Sequence, residues 1–367
     1  MDSQFSPNCY FSSDVFKEEA ELLFPNIWTF VGFTTDIPNH NDYITRRIGK
    51  TPILIQTFDG KIKAFLNVCT HRFSTLHQCE RGNRPLVCPY HGWFFDNDGK
   101  PKGIPDKQCF TNLDSARIES LSLEEWEIAT CGKFIFVKKK TSLWKISLSE
   151  YLGGFYDQLL SISDSINLKI ETIRFVFDCN WKIAIENAIE QYHVGPVHPK
   201  TFGKLGLSGG TTPQVDQYHS SWVLDVGDDA KEKWDKIKSN FSSRTIPSDH
   251  FAHTLIFPML AIGSTFGASY SISSFYPISE SQTEFRCEIF GCNLPEASKR
   301  QLLIANAYWE NVVQFNRQVF DEDKGACQWV QQGVPFRKGD GIISNLENRV
   351  FYFQKSYSDL MSILRNI

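Results

Sequence analysis

The stretch "NVCTHRFSTLHQCERGNRPLVCPYHGWFFDNDG", residues 67–99, places Cys69-x-His71 and Cys88-x-x-His91 on either side of sixteen residues rich in basic and turn-forming side chains. Working outward, "TPILIQTFDGKIKAFLNVC" pairs two β-rich runs around Asp59-Gly60, and "YHGWFFDNDGKPKG" repeats the pattern at Asp98-Gly99. Both are strong hairpin signals, because Asp-Gly suits the tight turns that join twisted strands. A small all-β domain results, with its loops carrying the two Cys-His pairs.

The flanking chain has a different character. "SSDVFKEEAELLF" reads as a short amphipathic helix capped at Ser13 and stopped by Pro25. "IRFVFDCN" alternates like a strand, and "NWKIAIENAIEQYHV" then puts Trp181, Ile185, Ala188 and Ile189 at helical spacing until Gly195-Pro196. Residues 204–250 are polar and without period, and read as a long loop region. Strand-like runs return from residue 251, and a long helix begins near "EASKRQLLIANAYWENVV". Strands followed by helices point to an α+β domain on an antiparallel sheet. We divide the chain into 1–37, a helical segment packing on the second domain; 38–150, the β-domain; and 151–367, the α+β domain.

Composition narrows the function classes. The chain has 367 residues, 41% hydrophobic and 22% charged, which suits two ordinary globular domains, and its 30 Phe leave room for apolar cavities. A formal net charge of −4 gives no global attraction to nucleic acid, and the KKK run at residues 138–140 reads as a solvated loop. The start of the chain lacks a basic segment followed by an apolar core, and no window is long and apolar enough to span a membrane. We therefore expect no nucleic acid, no membrane and a cytoplasmic location. Ten cysteines spread over this length do not form the framework of a small secreted domain; clustered ones point to metal.

Cys69, His71, Cys88 and His91 combine thiolate with imidazole, which suits zinc or an iron–sulfur cluster. Zinc sites usually pair like with like. Here each loop supplies one Cys and one His, the set a Rieske [2Fe–2S] cluster needs, with two thiolates on one iron and two imidazoles on the other. With those residues in place, "CTHR" followed by "CPYHGW" resembles the Rieske non-heme iron oxygenases, terminal oxygenase (alpha subunit) family. The high-potential respiratory Rieske proteins carry an extra Cys in each loop, absent here. The family often has Gly after "HR", whereas this chain has Phe73. His77 fits neither pair and reads as incidental.

A cluster moves electrons but does not itself activate dioxygen. "Glu190-Gln-Tyr-His193-Val-Gly-Pro-Val-His198" supplies two histidines whose spacing would point them apart on a continuous helix, and Gly195-Pro196 lets the chain turn between them. Two histidines and a carboxylate make the facial triad of mononuclear Fe(II) oxygenases. "VFDEDKGACQWVQQG" resembles the family's Glu-Asp segment ahead of a Gln-Gly ending, which implies Asp323 as the third ligand, with Asp321 and Glu322 as competitors. Glu190 lies three residues before His193 and can orient it. The resemblance further implies that an acid here, commonly Asp, reaches a cluster histidine of the adjacent subunit, matched by His91, so Glu190 is the catalytic electron bridge. Glu at this place resembles the branch containing carnitine and glycine-betaine monooxygenases.

The resemblance implies an N-terminal Rieske domain and a C-terminal catalytic domain of helix-grip, START-like form. It implies a terminal oxygenase that takes O2, a small organic substrate and electrons from a separate NAD(P)H reductase, directly or through a ferredoxin. The sequence has no Gly-x-Gly-x-x-Gly after a strand to bind the nucleotide itself. The family also implies a head-to-tail homotrimer, a closed heterologous ring. The leading expectation is monooxygenation by hydroxylation or oxidative demethylation; a ring cis-dihydroxylating dioxygenase uses the same iron sites. From another class, a Rieske electron carrier with a non-catalytic interaction domain would have no use for His193, His198 and Asp323, and a structural zinc protein would lack visible color.

Overall fold

The computed structural model describes residues 3–142, 144–209, 212–241 and 248–367, and the chain divides into two compact units. One is Ala20–Leu148; the other joins Met1–Glu19 to Ser149–Asn366. The first boundary falls at Glu19/Ala20 rather than at 37/38. The reason lies in Thr29–Phe33, whose five residues are all buried and which pairs with Phe134–Lys139 in the β-unit.

The β-unit is a seven-stranded sheet in the order Thr29–Phe33, Phe134–Lys139, Glu125–Cys131, Lys61–Leu66, Thr51–Phe58, Asp42–Ile48 and Arg81–Asn83, with a separate pair, Phe94–Phe95 and Pro101–Gly103. Both expected hairpins form. At Asp59-Gly60 both turn residues have positive φ, 48° and 79°, as the tight turn between Phe58 and Lys61 requires. At Gly99, φ is 76° and a Cβ would lie 2.9 Å from Phe65, so the turn needs glycine twice over. Lys138 is not solvated: it is 1% exposed, and its Nζ donates to the Ile146 carbonyl at 2.6 Å.

The second unit is built on a seven-stranded antiparallel sheet, Ile166–Phe177, Gln282–Cys292, Ser269–Ser279, Leu260–Thr265, His250–Ile256, His219–Asp225 and Gln214–Asp216. The last two strands and the helix Asp228–Asp235 occupy part of the region expected to be loop; residues 210–211 and 242–247 of that region lie outside the described residues. The helix Lys299–Gly333 begins in a capping box, Ser298 with Gln301, and runs through Gly325. A further helix, Asn348–Asn366, follows.

The N-terminal helix is capped by Ser12, one residue earlier than expected, and leads to Glu19. Glu19 is fully buried against Lys182, 2.5 Å away, and accepts from Trp181 Nε1 at 2.9 Å and Tyr357 Oη at 2.7 Å. One carboxylate thereby ties the chain start to Trp181–Ala188 and to the last helix. Removing one partner of a buried pair strands the other charge. Glu19→Ala is expected to destabilise this unit by about 3–5 kcal/mol, read as a lower urea midpoint. An unchanged midpoint would show that Lys182 has another acceptor.

Candidate active site

The two Cys-His loops are built alike. The amide of Cys69 donates to the Ser74 carbonyl and that of Cys88 to the Trp93 carbonyl, each at 2.8 Å; the Phe73 and Gly92 amides return to the carbonyls of Cys69 and Cys88, each at 3.0 Å. Phe73 and Gly92 hold corresponding left-handed positions, with φ 62° and 71°. An L side chain there costs roughly 1–2 kcal/mol, and Phe73 projects outward, 79% exposed.

Inside the loops the donor atoms converge. The His71 and His91 rings lie 4.7 Å apart, with Trp93 stacked on His71 at 4.8 Å. Both Nδ1 atoms are buried without a hydrogen-bond partner. Orphaned buried ring nitrogens are costly unless something else satisfies them. Burial pushes the Cys69 thiol up to about 11; backbone amides of His71 and Arg72 oppose that, and the neighboring Cys88 adds to it. Desolvation, then His91 and Arg72, push His71 below the ordinary imidazole range. Two neighboring thiols and two imidazoles with unpartnered ring nitrogens fit a [2Fe–2S] group that brings its own positive charge. His77 stays apart: it is buried, pushed down to about 4 by desolvation, with Nε2 3.3 Å from Gln56 Oε1.

In the second unit, the helix Trp181–Ala188 ends before Glu190, and a short helical turn, Val194–Val197, follows. The break thus precedes Glu190 instead of falling at Gly195-Pro196. Glu190 starts the new turn: its Oε2 accepts from the amides of Tyr192 and His193, and its Oε1 meets His193 Nδ1. His198 is held in the same manner from the other side, its Nδ1 2.7 Å from Glu322 Oε2, which also accepts from Thr201 Oγ1 at 2.7 Å.

With each Nδ1–H given to a carboxylate, each Nε2 is an acceptor. The two Nε2 atoms face each other at 3.2 Å, and Asp323 Oδ1 lies 3.0 Å from His198 Nε2 and 3.7 Å from His193 Nε2. Three acceptor atoms within 4.8 Å of one another are stable only around a proton or a cation, and two imidazoles with one carboxylate fit Fe(II). Burial opposes a positive charge on His198, yet Asp323 and Glu322 outweigh it and raise its proton affinity. The same field favors a metal ion.

The choice among the three acids follows from helix geometry. Tyr308, Asn311, Val312, Phe315, Asn316, Val319, Phe320 and Asp323 form one stripe of Lys299–Gly333 facing the cavity. Asp323 ends that stripe, Glu322 flanks it, and Asp321 is exposed. Asn187 Nδ2 donates to Asp323 Oδ1 at 2.7 Å. Thr201 and Asn187 carry no signal in the sequence, and Glu322, a competitor there for the ligand position, instead holds His198 Nδ1.

The trio opens into a cavity of about 330 Å³ between this stripe and one face of the sheet. Alternate residues of neighboring strands line it: Ala261, Gly263 and Thr265 beside Ser273, Ser271 and Ser269. Phe202, Phe251, Phe266 and Phe275 add apolar lining. Phe257 instead packs on Phe353.

Comparison with known proteins agrees with both halves. Residues 27–122 match the Rieske [2Fe-2S] domain, and residues 164–363, more than half of the chain, match the ring hydroxylating alpha subunit (catalytic domain). The chain is 29% identical to the carnitine monooxygenase oxygenase subunit of Acinetobacter baumannii over 367 residues, covering 94% of this chain and 91% of that protein. It is 32% identical to the anthranilate 1,2-dioxygenase large subunit of Acinetobacter baylyi over 195 residues, covering 50% of this chain and 40% of that protein. The crystal structure of a quaternary ammonium Rieske monooxygenase in complex with L-carnitine shares the fold, with TM-score 0.78 at 21% identity, covering 97% of this chain and 95% of the other. The all-β unit with its Cys-His loops and the sheet-and-helix unit around His193, His198 and Asp323 belong to one chain of the ring-hydroxylating alpha-subunit family, a Rieske-type non-heme iron oxygenase.

Proposed function

We propose that Cys69, His71, Cys88 and His91 hold the cluster, that His193, His198 and Asp323 hold the iron, and that the chain works as a monooxygenase on a small organic substrate. The observation that carries this reading is the convergence of three acceptor atoms at the mouth of an apolar cavity, in a chain that also has the Cys-His quartet. When bound, the iron supplies open positions for dioxygen and the cluster supplies single electrons. The chain's own part is to orient and exclude. Glu190 and Glu322 each take an Nδ1–H and aim an Nε2 at the metal position. The aromatic lining keeps water from a substrate seated beside the trio.

Oxygen uptake with NADH and a generic reductase, screened over carnitine, choline and aromatic carboxylates, tests this reading. Product carrying one atom from labeled dioxygen supports monooxygenation; two atoms support the cis-dihydroxylating alternative, which dioxygenase relatives favor. No substrate-dependent uptake across the screen, with both metal centers loaded, would favor an electron carrier. A cytoplasmic location is supported by ten cysteines without a disulfide, and among the described residues no helix is long and apolar enough to cross a membrane.

We assign Glu190 the electron path between subunits of a homotrimer. Its Oε1 contacts His193 Nδ1, which places it against a metal-facing ring. Glu190→Gln keeps the shape and loses the charge, so both metals are expected to stay bound while turnover falls about 10- to 100-fold. Mixing these subunits with His71→Ala subunits tests the crossing, since only transfer between subunits pairs an intact cluster with an intact bridge. Near-normal single turnover in Glu190→Gln would mean that the residue only positions His193.

A further inference from the structure

Behind the cavity wall sits a buried cation that has no counter-anion among the described residues. Arg349, on Asn348–Asn366, is 1% exposed. Its Nε and Nη2 donate to Ser220 Oγ and the Ser220 carbonyl, each at 3.0 Å, and its Nη1 lies 3.1 Å from His253 Nδ1. The guanidinium carbon is 4.9 Å from the center of the Trp222 ring. Every one of these partners is neutral. Burial lowers Arg349 to about 9, which leaves it charged at neutral pH. A buried charge of this kind calls for an opposite one.

His253 carries that charge's influence into the cavity. A guanidinium can only donate, so His253 Nδ1 accepts and the ring proton lies on Nε2. Burial and the Arg349 charge keep the ring neutral, well below the ordinary range. Nε2–H is therefore a donor of fixed tautomer, polarised from behind, and among the described residues it has no protein acceptor.

The sheet leaves this donor open. Trp222, His253, Gly263 and Ser271 sit side by side on four adjacent strands, and all line the cavity. A Cβ on Gly263 would lie 3.9 Å from His253 Cδ2, the atom next to Nε2, so bare glycine keeps that flank clear. From the metal trio, the rings of His198, Phe202, Phe251 and His253 follow one another at 5.7, 5.6 and 6.4 Å. Among the described residues no Lys or Arg lines the cavity, and the acids that do, Glu190 and Asp323, are engaged at the trio.

We propose that His253 Nε2–H, backed by Arg349, binds a carboxylate of the substrate and directs the substrate's apolar end along Phe251 and Phe202 toward His193, His198 and Asp323. The assignment deepens the oxygenase reading and rests on it only for what happens at the trio. His253 is the contact, and Arg349 is a positioning residue that sets its tautomer.

The test is calorimetric binding to the full-length, metal-loaded protein of carboxylates and their amides: benzoate with benzamide, 3-phenylpropanoate with 3-phenylpropanamide, and L-carnitine with its amide. At least one carboxylate is expected to bind about 10- to 100-fold more tightly than its amide, the range for a charge-assisted hydrogen bond. His253→Phe should abolish the preference and His253→Gln, which keeps a donor, should restore part of it. Gly263→Val, which leaves both residues in place and covers Nε2, should also abolish it, and serves if His253→Phe fails to fold. Equal affinities within every pair, no binding by any carboxylate, or a preference that survives both His253→Phe and Gly263→Val would overturn the proposal. Carboxylate binding without oxygen uptake would leave this assignment standing and remove the oxygenase reading. Oxygen uptake with neutral substrates alone would do the reverse.

Discussion

Asp323→Ala is expected to keep the visible absorbance of the cluster, lose the mononuclear iron and show no turnover. Asp323 Oδ1 is the one negative atom among three acceptors, and without it two neutral imidazoles must hold a divalent ion alone. Its backbone ends the cavity-facing stripe of the long helix, so no neighbor can take its place without rotating the helix. Asp321→Ala, on the exposed side, should behave as wild type. Glu322→Ala should fall between them, losing about 10- to 100-fold in iron affinity, because it frees His198 without removing a ligand. Iron analysis beside the cluster spectrum separates the three. Iron lost from Asp321→Ala and kept in Asp323→Ala would mean the wrong acid has been assigned.

Replacing Cys88 or His71 with Ala has an effect of equal size on the other center. Each residue is one of four donors in a loop pair with no spare thiol inside: Cys79 is exposed, and its carbonyl accepts from Thr45 on the neighboring strand. Either variant should lose the Rieske spectrum and the paramagnetic signal of the reduced cluster. The iron proposed to sit on His193, His198 and Asp323 should remain near one per chain, because those residues belong to the other compact unit. A normal Rieske spectrum in either variant would remove Cys88 or His71 from the cluster.

Local chemistry made much of this legible before any coordinates. Asp59-Gly60 and Asp98-Gly99 announce turns whose backbone demands are local, and both turns form. The four residues proposed to hold the cluster lie within one short stretch, so their spacing alone carries meaning. Phe73 could be flagged as a departure, but only the paired loops show that it holds the left-handed position its twin gives to Gly92. Where reading failed, long-range contacts decided. The helix that propensity would continue ends before Glu190, whose carboxylate captures the amides of Tyr192 and His193. The strand His219–Asp225 hides in polar sequence because Ser220 and Ser221 pair across the sheet with Leu255 and Thr254. Arg349 and His253 are 96 residues apart, and nothing local to either hints at the other.

We propose that electrons gathered at Cys69, His71, Cys88 and His91 are spent at a metal held by His193, His198 and Asp323. The most direct test is stopped-flow absorbance of the pre-reduced protein mixed with dioxygen and a substrate found in the screen, comparing wild type with Asp323→Ala. The oxidised visible spectrum is expected to return in a fast phase in wild type, accompanied by product, and this phase is expected to be missing in Asp323→Ala. Return at the same rate in both proteins would contradict it, since the electrons would then be leaving by a route that does not need the trio.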